Sequence, residues 1–201
     1  PESVFETLEE FSINKYEYYR VRSIDTAVLS NHERAARFIY LNKLCFNGVY
    51  RTNMRGHFNV PMGKKTGRIP TRDELRQYSR EMASAIFLRA DFQEIKRQIK
   101  KGDLVYLDPP YSKPNAKFSG EYGPNSFVYD DVGRLVEFLK YIDKKGAYFI
   151  LSYSDCAHLG ELVASEWHVK SISVRRHVAG FSAHRGWAGE ILATNFNKIE
   201  T

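Results

Sequence analysis

A short apolar run that ends at two consecutive prolines limits the folds open to this chain more than any other feature. The run Leu104-Val105-Tyr106-Leu107 is too short for a helix and predicts a buried strand. Pro109 and Pro110 cannot donate to a sheet ladder, and they keep Asp108 extended, so the strand must end there. Because ligands of an open α/β sheet bind beyond the carboxyl ends of its strands, residues 108–111 are the predicted substrate loop.

The side chains of this loop suit a flat, weakly nucleophilic amine. The Asp108 carboxylate and the Pro109 carbonyl are acceptors with few competing donors, since the next residue is a proline without an N–H. Two acceptors on one NH₂ group favour the positive charge that develops on nitrogen as it attacks an electrophilic carbon. Tyr111 offers a ring on which a base can stack. The loop predicts alkylation of a nucleobase amine, with an ordinary proline turn as the alternative.

Basic residues are concentrated between positions 31 and 72. This segment holds nine lysines and arginines against the single acidic residue Glu33, a local charge of +8 in a chain whose net charge is +6. Such an excess suits a polyanion, with nucleic acid first and an acidic membrane surface second. A solvated cationic face is the alternative.

Glycine and asparagine punctuate residues 46–63 and predict a β-hairpin, with Gly56 at the tip between residues 50–53 and 57–60. Arginines on such a ribbon can pair with guanine, asparagines can pair with adenine, and an apolar ring can wedge into the base stack. The candidates are Arg51, Arg55, Asn47, Asn53, Asn59 and the ring of Phe46. A structural hairpin with surface arginines remains the alternative.

Together the two blocks resemble the DNA adenine methylase family, the D12 class of DNA adenine-N6 methyltransferases that use S-adenosylmethionine. Asp-Pro-Pro-Tyr at 108–111 is similar to the family's catalytic motif. Its target-recognition region is similar to the run Leu41-Asn42-Lys43, Phe46-Asn47-Gly48, Arg51-Thr52-Asn53, Gly56 and Phe58-Asn59-Val60-Pro61-Met62-Gly63. The order and distance of the blocks make the resemblance specific, and it covers essentially the whole chain.

The resemblance implies roles for individual residues. Catalysis would fall to Asp108, Pro109, Pro110 and Tyr111, and cofactor binding to Asp108, Asp91 and Phe92, with helix capping as the stronger alternative for Asp91. The implied DNA-binding residues are Phe46, Asn47, Val49, Arg51, Asn53, Arg55, Asn59, Pro61 and Lys64. Lys64 stands where the family often has an arginine, and its point charge cannot make a bidentate contact.

The function implied by the resemblance is site-specific methylation of adenine N6 in double-stranded DNA, at a GATC-like site, on an adenine flipped out of the helix. Such methylation can protect DNA in a restriction-modification system. The rivals are a DNA-binding fragment without catalysis and an RNA or protein amide methyltransferase. No apolar stretch reaches transmembrane length and no signal peptide is present, so we expect a cytoplasmic protein of a bacterial or phage-infected cell.

One expected motif is missing, because no Phe-x-Gly-x-Gly turn occurs in these 201 residues. In the resembling family this cofactor-binding turn lies upstream of the recognition region. We therefore expect either a fragment or a cofactor-binding segment supplied by another polypeptide, and weak or absent activity for the chain alone. Cys45, Cys156 and the scattered histidines lack metal-ligand spacing, and no metal is predicted.

The predicted fold is α/β, with an incomplete methyltransferase-like (Rossmann-like) mixed sheet in residues 86–201. A small, mostly helical target-recognition domain carrying the hairpin is predicted for residues 1–85. Capping boxes at 30–33 and 71–74 predict helices to about Leu44 and Ser84. Further predictions are a helix over 130–144, a helix over 156–164, strands at 86–90 and 147–152, and a terminal hairpin of 169–174 with 190–196. The loop 112–127 is a predicted flap.

Overall fold

The computed structural model describes residues 1–53, 55–110, 131–154, 159, 163–175 and 187–196. The described residues form two compact units, of which the first holds Pro1–Phe87 and the second begins at Leu88. The assignment of target recognition to residues 1–85 and of catalysis to residues 86–201 stays a prediction. Tyr111, the predicted flap at 112–127 and most of the predicted helix at 156–164 lie outside the described residues.

Four helices build the first unit: α1 (Glu2–Glu9), α2 (Lys15–Ser23), α3 (Asn31–Leu44) and α4 (Arg72–Glu81). Both predicted capping boxes are confirmed, at the starts of α3 and α4. The hydroxyl of the cap residue, Ser30 or Thr71, accepts from the backbone N–H of the glutamate three residues later. The carboxylate of that glutamate accepts from the backbone N–H of the cap residue, so two otherwise unpaired donors are satisfied. α4 ends at Glu81, three residues before its predicted end.

The core of the first unit is lined by fully buried aromatic and aliphatic side chains. Tyr18 and Tyr40 are both completely buried between the helices. The hydroxyl of Tyr40 donates to the Ser12 carbonyl at 2.7 Å, and that of Tyr18 donates to the Val60 carbonyl at 3.0 Å. Burial raises the pKa of both phenols, that of Tyr40 to about 12. Both therefore remain hydrogen-bond donors at neutral pH.

The second unit is built on a four-stranded mixed sheet with the order β1-β2-β4-β3. The strands are β1 (Leu104–Leu107), β2 (Tyr148–Ser154), β3 (His168–Arg175) and β4 (Trp187–Thr194). β1 and β2 are parallel, with Leu107 opposite Leu151, while β4 is antiparallel to both β2 and β3. The α/β class with a mixed sheet, the terminal hairpin and the bounds of β1 are confirmed.

Helix α5 (Asp131–Lys144) connects the parallel strands and packs on one face of the sheet. Its buried side chains, including Phe138 and Leu139, share a cluster with Phe149 and Leu151 of β2. A helical crossover of this kind is what joins parallel neighbours in α/β proteins. Among the described helices, none combines the length and apolar character needed to cross a membrane.

The predicted strand at 86–90 is wrong. Residues 85–89 have no regular secondary structure, and Ile86, Phe87 and Leu88 are 84 %, 75 % and 55 % exposed. Their composition is typical of a strand, but a strand needs a neighbour to pair with its backbone, and no described residue supplies one. Asp91 then caps a short 3₁₀ helix over Phe92–Arg97, as its alternative reading predicted.

Candidate functional site

The predicted substrate loop begins at the carboxyl end of β1. Leu107 is buried, Pro109 and Pro110 are half-buried, and Asp108 is exposed. Within the described part of the chain, the Asp108 carboxylate forms no hydrogen bond or ion pair. A carboxylate that engages none of the described residues at this edge of the sheet has acceptor sites that suit a ligand.

Strand β2 extends beyond the end of β1 at the same edge of the sheet. Since Leu107 pairs with Leu151, the next residues of β2, Ser152 to Ser154, run alongside the start of the substrate loop. Ser152 and Tyr153 are buried and Ser154 is half-buried. The sequence prediction ended this strand at Ser152 and assigned no role to it. The signal that could have found it is the alternation of apolar residues, which continues through Tyr153.

The predicted cofactor residues lie in the same unit and are tied to α5. One Asp91 oxygen accepts from the backbone N–H of Gln93 at 2.9 Å, and the other accepts from Arg134 at 2.7 Å. The Arg134 guanidinium also contacts Asp131, and its central carbon lies 5.1 Å from the centre of the Phe92 ring. The hydrogen bond from Arg134 holds the pKa of Asp91 below its ordinary value. Arg134 thus contacts both Asp91 and Phe92 and connects them to α5.

We expect Arg134→Ala to raise the pKa of Asp91 toward its ordinary value, because the main group that stabilises the carboxylate is removed. A carboxyl whose pKa is depressed in the folded state stabilises the protein above its unfolded-state pKa, and this contribution disappears as the pH falls through the folded-state pKa. Because solvent screens this exposed pair, the loss of stability at neutral pH should be small.

The measurement is an NMR titration of the Asp91 carboxyl, with Arg134→Lys as the matched variant that keeps a positive charge. An unchanged pKa of Asp91 in Arg134→Ala would show that the ion pair is not the cause of the shift.

The other predicted site residues belong to the first unit, where a tight turn follows α3. The turn covers Phe46–Gly48, with Asn47 at φ 56° and ψ 17° and Gly48 at φ 65°. Two successive residues with positive φ are typical of the Asn-Gly type I′ turn, and the backbone N–H of Val49 donates to the Phe46 carbonyl at 3.3 Å. Phe46 is 40 % exposed at this turn.

The segment after the hairpin wraps around the carboxyl end of α3. The N–H groups of Gly63 and Gly67 donate to the carbonyls of Leu44 and Lys43 at 2.9 and 2.8 Å. The N–H of Phe46 donates to the Pro61 carbonyl at 2.9 Å. The first two bonds satisfy carbonyls at the end of α3 that have no partner inside the helix, and the third fixes the turn against the segment 61–67.

Gly63 is required at its position because the chain passes close to it. A Cβ atom there would lie 3.0 Å from the Cys45 carbonyl oxygen and 3.1 Å from that of Lys65. We expect Gly63→Ala to destabilise the first unit by about 1–3 kcal/mol, since backbone atoms must move. Gly133→Ala on α5 is the matched change, because its Cβ meets nothing within 4 Å, and we expect it to be neutral or to stabilise by up to about 1 kcal/mol.

Chemical unfolding of the two variants, followed by circular dichroism, measures this difference. Equal stabilities of Gly63→Ala and Gly133→Ala would contradict the close approach.

The predicted hairpin is confirmed as a short ribbon with a bridge between Thr52 and Phe58. The Asn53 side-chain oxygen accepts from the N–H groups of Arg55 and His57 at 2.9 and 3.0 Å, so this asparagine builds the tip.

The base of the ribbon packs on α3 through aromatic rings. The Tyr50 ring lies 4.8 Å from the rings of both Phe38 and Phe58. Val60 is buried, and its carbonyl also accepts from Arg22 at 3.3 Å. The ribbon is therefore fixed to the helices by packing and hydrogen bonds.

Arg51 and Asn59 lie opposite each other on the exposed face of the ribbon. The Nε atom of Arg51 donates to the Asn59 side-chain oxygen at 3.3 Å. Both residues are exposed, and the structure brings together these two predicted DNA contacts. The bond uses one of the five N–H donors of Arg51 and leaves its two terminal amino groups for a bidentate partner.

Some basic residues of the segment 31–72 bind other groups of the protein and are not available to a ligand. Arg37 is buried and donates to the carbonyls of Val21 and Arg22 at 3.0 and 2.7 Å. Arg68 pairs with Glu74, and Arg72 pairs with Glu2 and Glu9. The exposed basic residues of this segment that form no ion pair within the described residues are Arg34, Lys43, Arg51, Arg55, Lys64 and Lys65, of which Arg34 donates to the Thr26 carbonyl at 2.9 Å. Of the remaining predicted contacts, Pro61 is exposed, and Asn47 and Val49 are half-buried.

Among the described residues, no group of three or more His, Cys, Asp or Glu side chains could hold a metal ion.

The comparisons with known proteins agree on one family. Residues 1–178 match the D12 class N6 adenine-specific DNA methyltransferases. The chain is 34 % identical to the type II methyltransferase M1.LlaDCHI of Lactococcus lactis subsp. cremoris, over 98 % of this chain and 72 % of that protein.

Two further relatives show the same similarity over shorter shares of their lengths. The type II methyltransferase M.MjaIII of Methanocaldococcus jannaschii is 35 % identical over 73 % of this chain and 51 % of that protein. The DNA adenine methylase of Haemophilus influenzae is 32 % identical over 88 % of this chain and 62 % of that protein. The chain thus spans between about half and three quarters of the lengths of these relatives.

Proposed function

The chain belongs to the D12 class N6 adenine-specific DNA methyltransferases, and from this we propose that it carries the catalytic loop and the target-reading surface of an enzyme that methylates adenine in double-stranded DNA. The observation that carries the proposal is the exposed Asp108, without a protein partner among the described residues, followed by two prolines at the carboxyl end of a parallel strand. The methyl donor we propose is S-adenosylmethionine.

The catalytic step follows from the acceptors of the loop. Adenine N6 is a poor nucleophile because its lone pair is delocalised into the ring. The Asp108 carboxylate and the Pro109 carbonyl would accept hydrogen bonds from the two N6 hydrogens, which stabilises the positive charge that grows on N6. When bound, the cofactor would supply an electrophilic methyl group, whose bond to sulfur would break as its bond to N6 forms. The proton lost from N6 passes to Asp108 or to water, and Tyr111 is the proposed stacking partner of the extruded base.

The residues around Asp91 fit one end of the proposed cofactor. Phe92 presents a half-buried ring beside Phe138, and the Asp91 carboxylate has acceptor sites beyond the two bonds that it makes. The planar adenine ring of an adenosine group, with its exocyclic amine, suits the Phe92 ring and the Asp91 carboxylate. The glycine-rich turn expected for the methionine end is not among the 201 residues.

We propose that this turn is supplied by a segment outside these residues, in the same polypeptide or in another. Strand β1 is hydrogen-bonded on one side only in the described sheet, and its Leu104 and Tyr106 are 61 % and 62 % exposed. Parallel strands are ordinarily buried on both faces. The exposure of Leu104 and Tyr106 therefore supports a further element of structure that covers β1. The exposed apolar residues 86–88 support the same proposal.

The DNA-binding part of the proposal rests on the first unit. The ribbon presents Arg51, and the turn before it presents Phe46, within a surface that also exposes Lys43, Lys64 and Lys65. The lysines would neutralise phosphates, while Arg51 would read a guanine of a GATC-like site. The predicted contacts of Asn47, Val49, Asn53, Arg55, Asn59 and Pro61 remain part of this proposal.

Calorimetric titrations of two forms of the protein test the proposal: the 201-residue chain, and a longer form that also carries the segment expected upstream. We expect the chain alone to bind adenine-containing duplex with a steep salt dependence and to bind S-adenosylmethionine weakly. The longer form should bind both and transfer the methyl group to N6.

A chain that binds the duplex while the longer form transfers no methyl group would favour a DNA-binding fragment. Methyl transfer to RNA or to a protein amide, and not to duplex DNA, would favour the second rival. Equal cofactor affinity of both forms would contradict the proposed role of the additional segment.

A further inference from the structure

The turn that presents Phe46 has a backbone conformation that its own residues do not enforce. Asn47 is the only non-glycine residue with positive φ among the described residues, and Gly48 beside it also has positive φ. Asparagine and glycine adopt this region more readily than other residues, but neither is restricted to it. A turn of three residues with such freedom holds one orientation only if a neighbouring group fixes it.

The side chain of Asn42, near the carboxyl end of α3, binds the Phe46–Gly48 turn. Its Nδ2 atom donates to the Gly48 carbonyl at 3.0 Å, six residues further along the chain. Leu41 and Leu44 on the same helix are fully buried, so this end of α3 is fixed in the core. The bond from Asn42 therefore connects a fixed helix to the far side of the turn. The turn is thereby anchored at the Gly48 carbonyl by a side chain and at the Phe46 N–H by the Pro61 carbonyl.

The chemistry at this position favours an amide side chain of this length. The group must donate to a carbonyl oxygen, which a carboxylate cannot do and an alkyl group cannot do. The Cys45 thiol shows how closely the turn packs on the helix, since it lies 3.4 Å from the carbonyl oxygens of both Asn42 and Val49. A side chain without a donor would leave the Gly48 carbonyl to water, and that end of the turn would keep only the bond from the Gly48 N–H to the Cys45 carbonyl, at 3.2 Å.

We propose that Asn42 is a positioning residue for target recognition: it holds the Phe46–Gly48 turn in the one orientation that presents the Phe46 ring to DNA. This rests on the proposed function, in which Phe46 contacts DNA. Asn42 itself would touch no base and would act only through the turn. Its loss should therefore lower the affinity for the recognised site more than the affinity for DNA in general.

The experiment measures fluorescence anisotropy of a labelled GATC-containing duplex and of a duplex with the same composition in scrambled order. The variants are Asn42→Ala, Phe46→Ala and the double variant, with Asn42→Gln as the variant that keeps an amide donor. Gln77→Ala is the matched control, because Gln77 donates to Glu81 on the exposed face of α4 and its loss also removes one side-chain hydrogen bond.

We expect Asn42→Ala to lower the ratio of specific to non-specific affinity by about two- to tenfold, the effect of one net hydrogen bond. Asn42→Gln should retain part of the ratio, Gln77→Ala should retain all of it, and Asn42→Ala should add little in the Phe46→Ala background. Loss of stability alone would lower both affinities together and leave their ratio unchanged.

Two results would overturn the inference, and they are distinguishable. If Phe46→Ala lowers the ratio but Asn42→Ala leaves it unchanged, or if the two effects are fully additive, Asn42 does not act through the turn and only this inference fails. If Phe46→Ala itself has no effect on either duplex, the proposed DNA contact fails, and the role of Asn42 fails with it.

Discussion

Asp108→Ala is expected to lower the rate of methyl transfer to adenine by about a hundred- to a thousandfold, the effect of removing one preorganised group that stabilises transition-state charge. The carboxylate is exposed at the end of β1 and engages no described residue, so its removal should leave the fold intact. Binding of duplex DNA should be little changed, because the proposed recognition residues lie in the first unit and Asp108 lies in the second. The loss should therefore fall on the rate and not on the affinity.

The measurement is a single-turnover assay with labelled S-adenosylmethionine and a GATC-containing duplex, in a form of the protein that includes a cofactor-binding segment. Asp103→Ala is the matched control, since Asp103 is an exposed aspartate at the other end of β1 whose side chain accepts from the Lys100 N–H at 2.8 Å. We expect this control to keep nearly full activity. Full activity of Asp108→Ala would end the proposed mechanism.

Arg51→Ala should remove discrimination at one guanine of the recognised site, with a loss of about five- to a hundredfold for the correct base pair, the value of one bidentate contact. Arg51 is exposed on the ribbon, and its bond to Asn59 leaves the two terminal amino groups available. Arg51→Lys should not restore the discrimination, because an ammonium group cannot form two parallel hydrogen bonds with one base.

Competition binding against duplexes that carry each base pair substitution in turn measures this effect. Lys65→Ala is the matched control, an exposed cation of the same unit. It should weaken binding to all duplexes by a similar factor and make the salt dependence shallower. If Arg51→Ala behaves in the same uniform way, Arg51 contacts a phosphate and reads no base.

Local signals in the sequence predicted the fold well where a few neighbouring residues decide the structure. The capping boxes at Ser30 and Thr71 depend only on groups within three residues, and both are present. The bounds of β1 follow from Pro109 and Pro110, whose covalent structure ends any ladder. The hairpin around Gly56 likewise follows from local turn chemistry.

Predictions that depended on distant partners were less accurate. Residues 86–90 have the composition of a strand, but strand formation depends on a neighbour that lies elsewhere in the chain or outside it. The count of basic residues in the segment 31–72 included Arg37, which is buried and donates to backbone carbonyls of α2. A count of charges cannot distinguish such an arginine from one that faces a ligand.

Within the candidate site, sequence reasoning found the residue types but not their connections. The sequence predicts that Asn53 contacts DNA, but it does not indicate that the side-chain oxygen of Asn53 also accepts two backbone N–H groups at the tip. Asn42 belongs to the run that resembles the target-recognition region, but no role was predicted for it, since nothing in its own neighbourhood indicates a bond to a carbonyl six residues away. The roles of Tyr111 and the flap at 112–127 stay predictions, because they lie outside the described residues.

The segments on both sides of the ribbon are held mostly by main-chain hydrogen bonds, at Phe46, Gly63 and Gly67, and the ribbon itself packs on α3 through the Tyr50 ring. The outward positions, Arg51 and Asn59, can therefore be exchanged without rebuilding the framework that carries them. New sequence preferences can arise in this arrangement by substitution at a few surface positions, both in natural divergence among related enzymes and in laboratory selection.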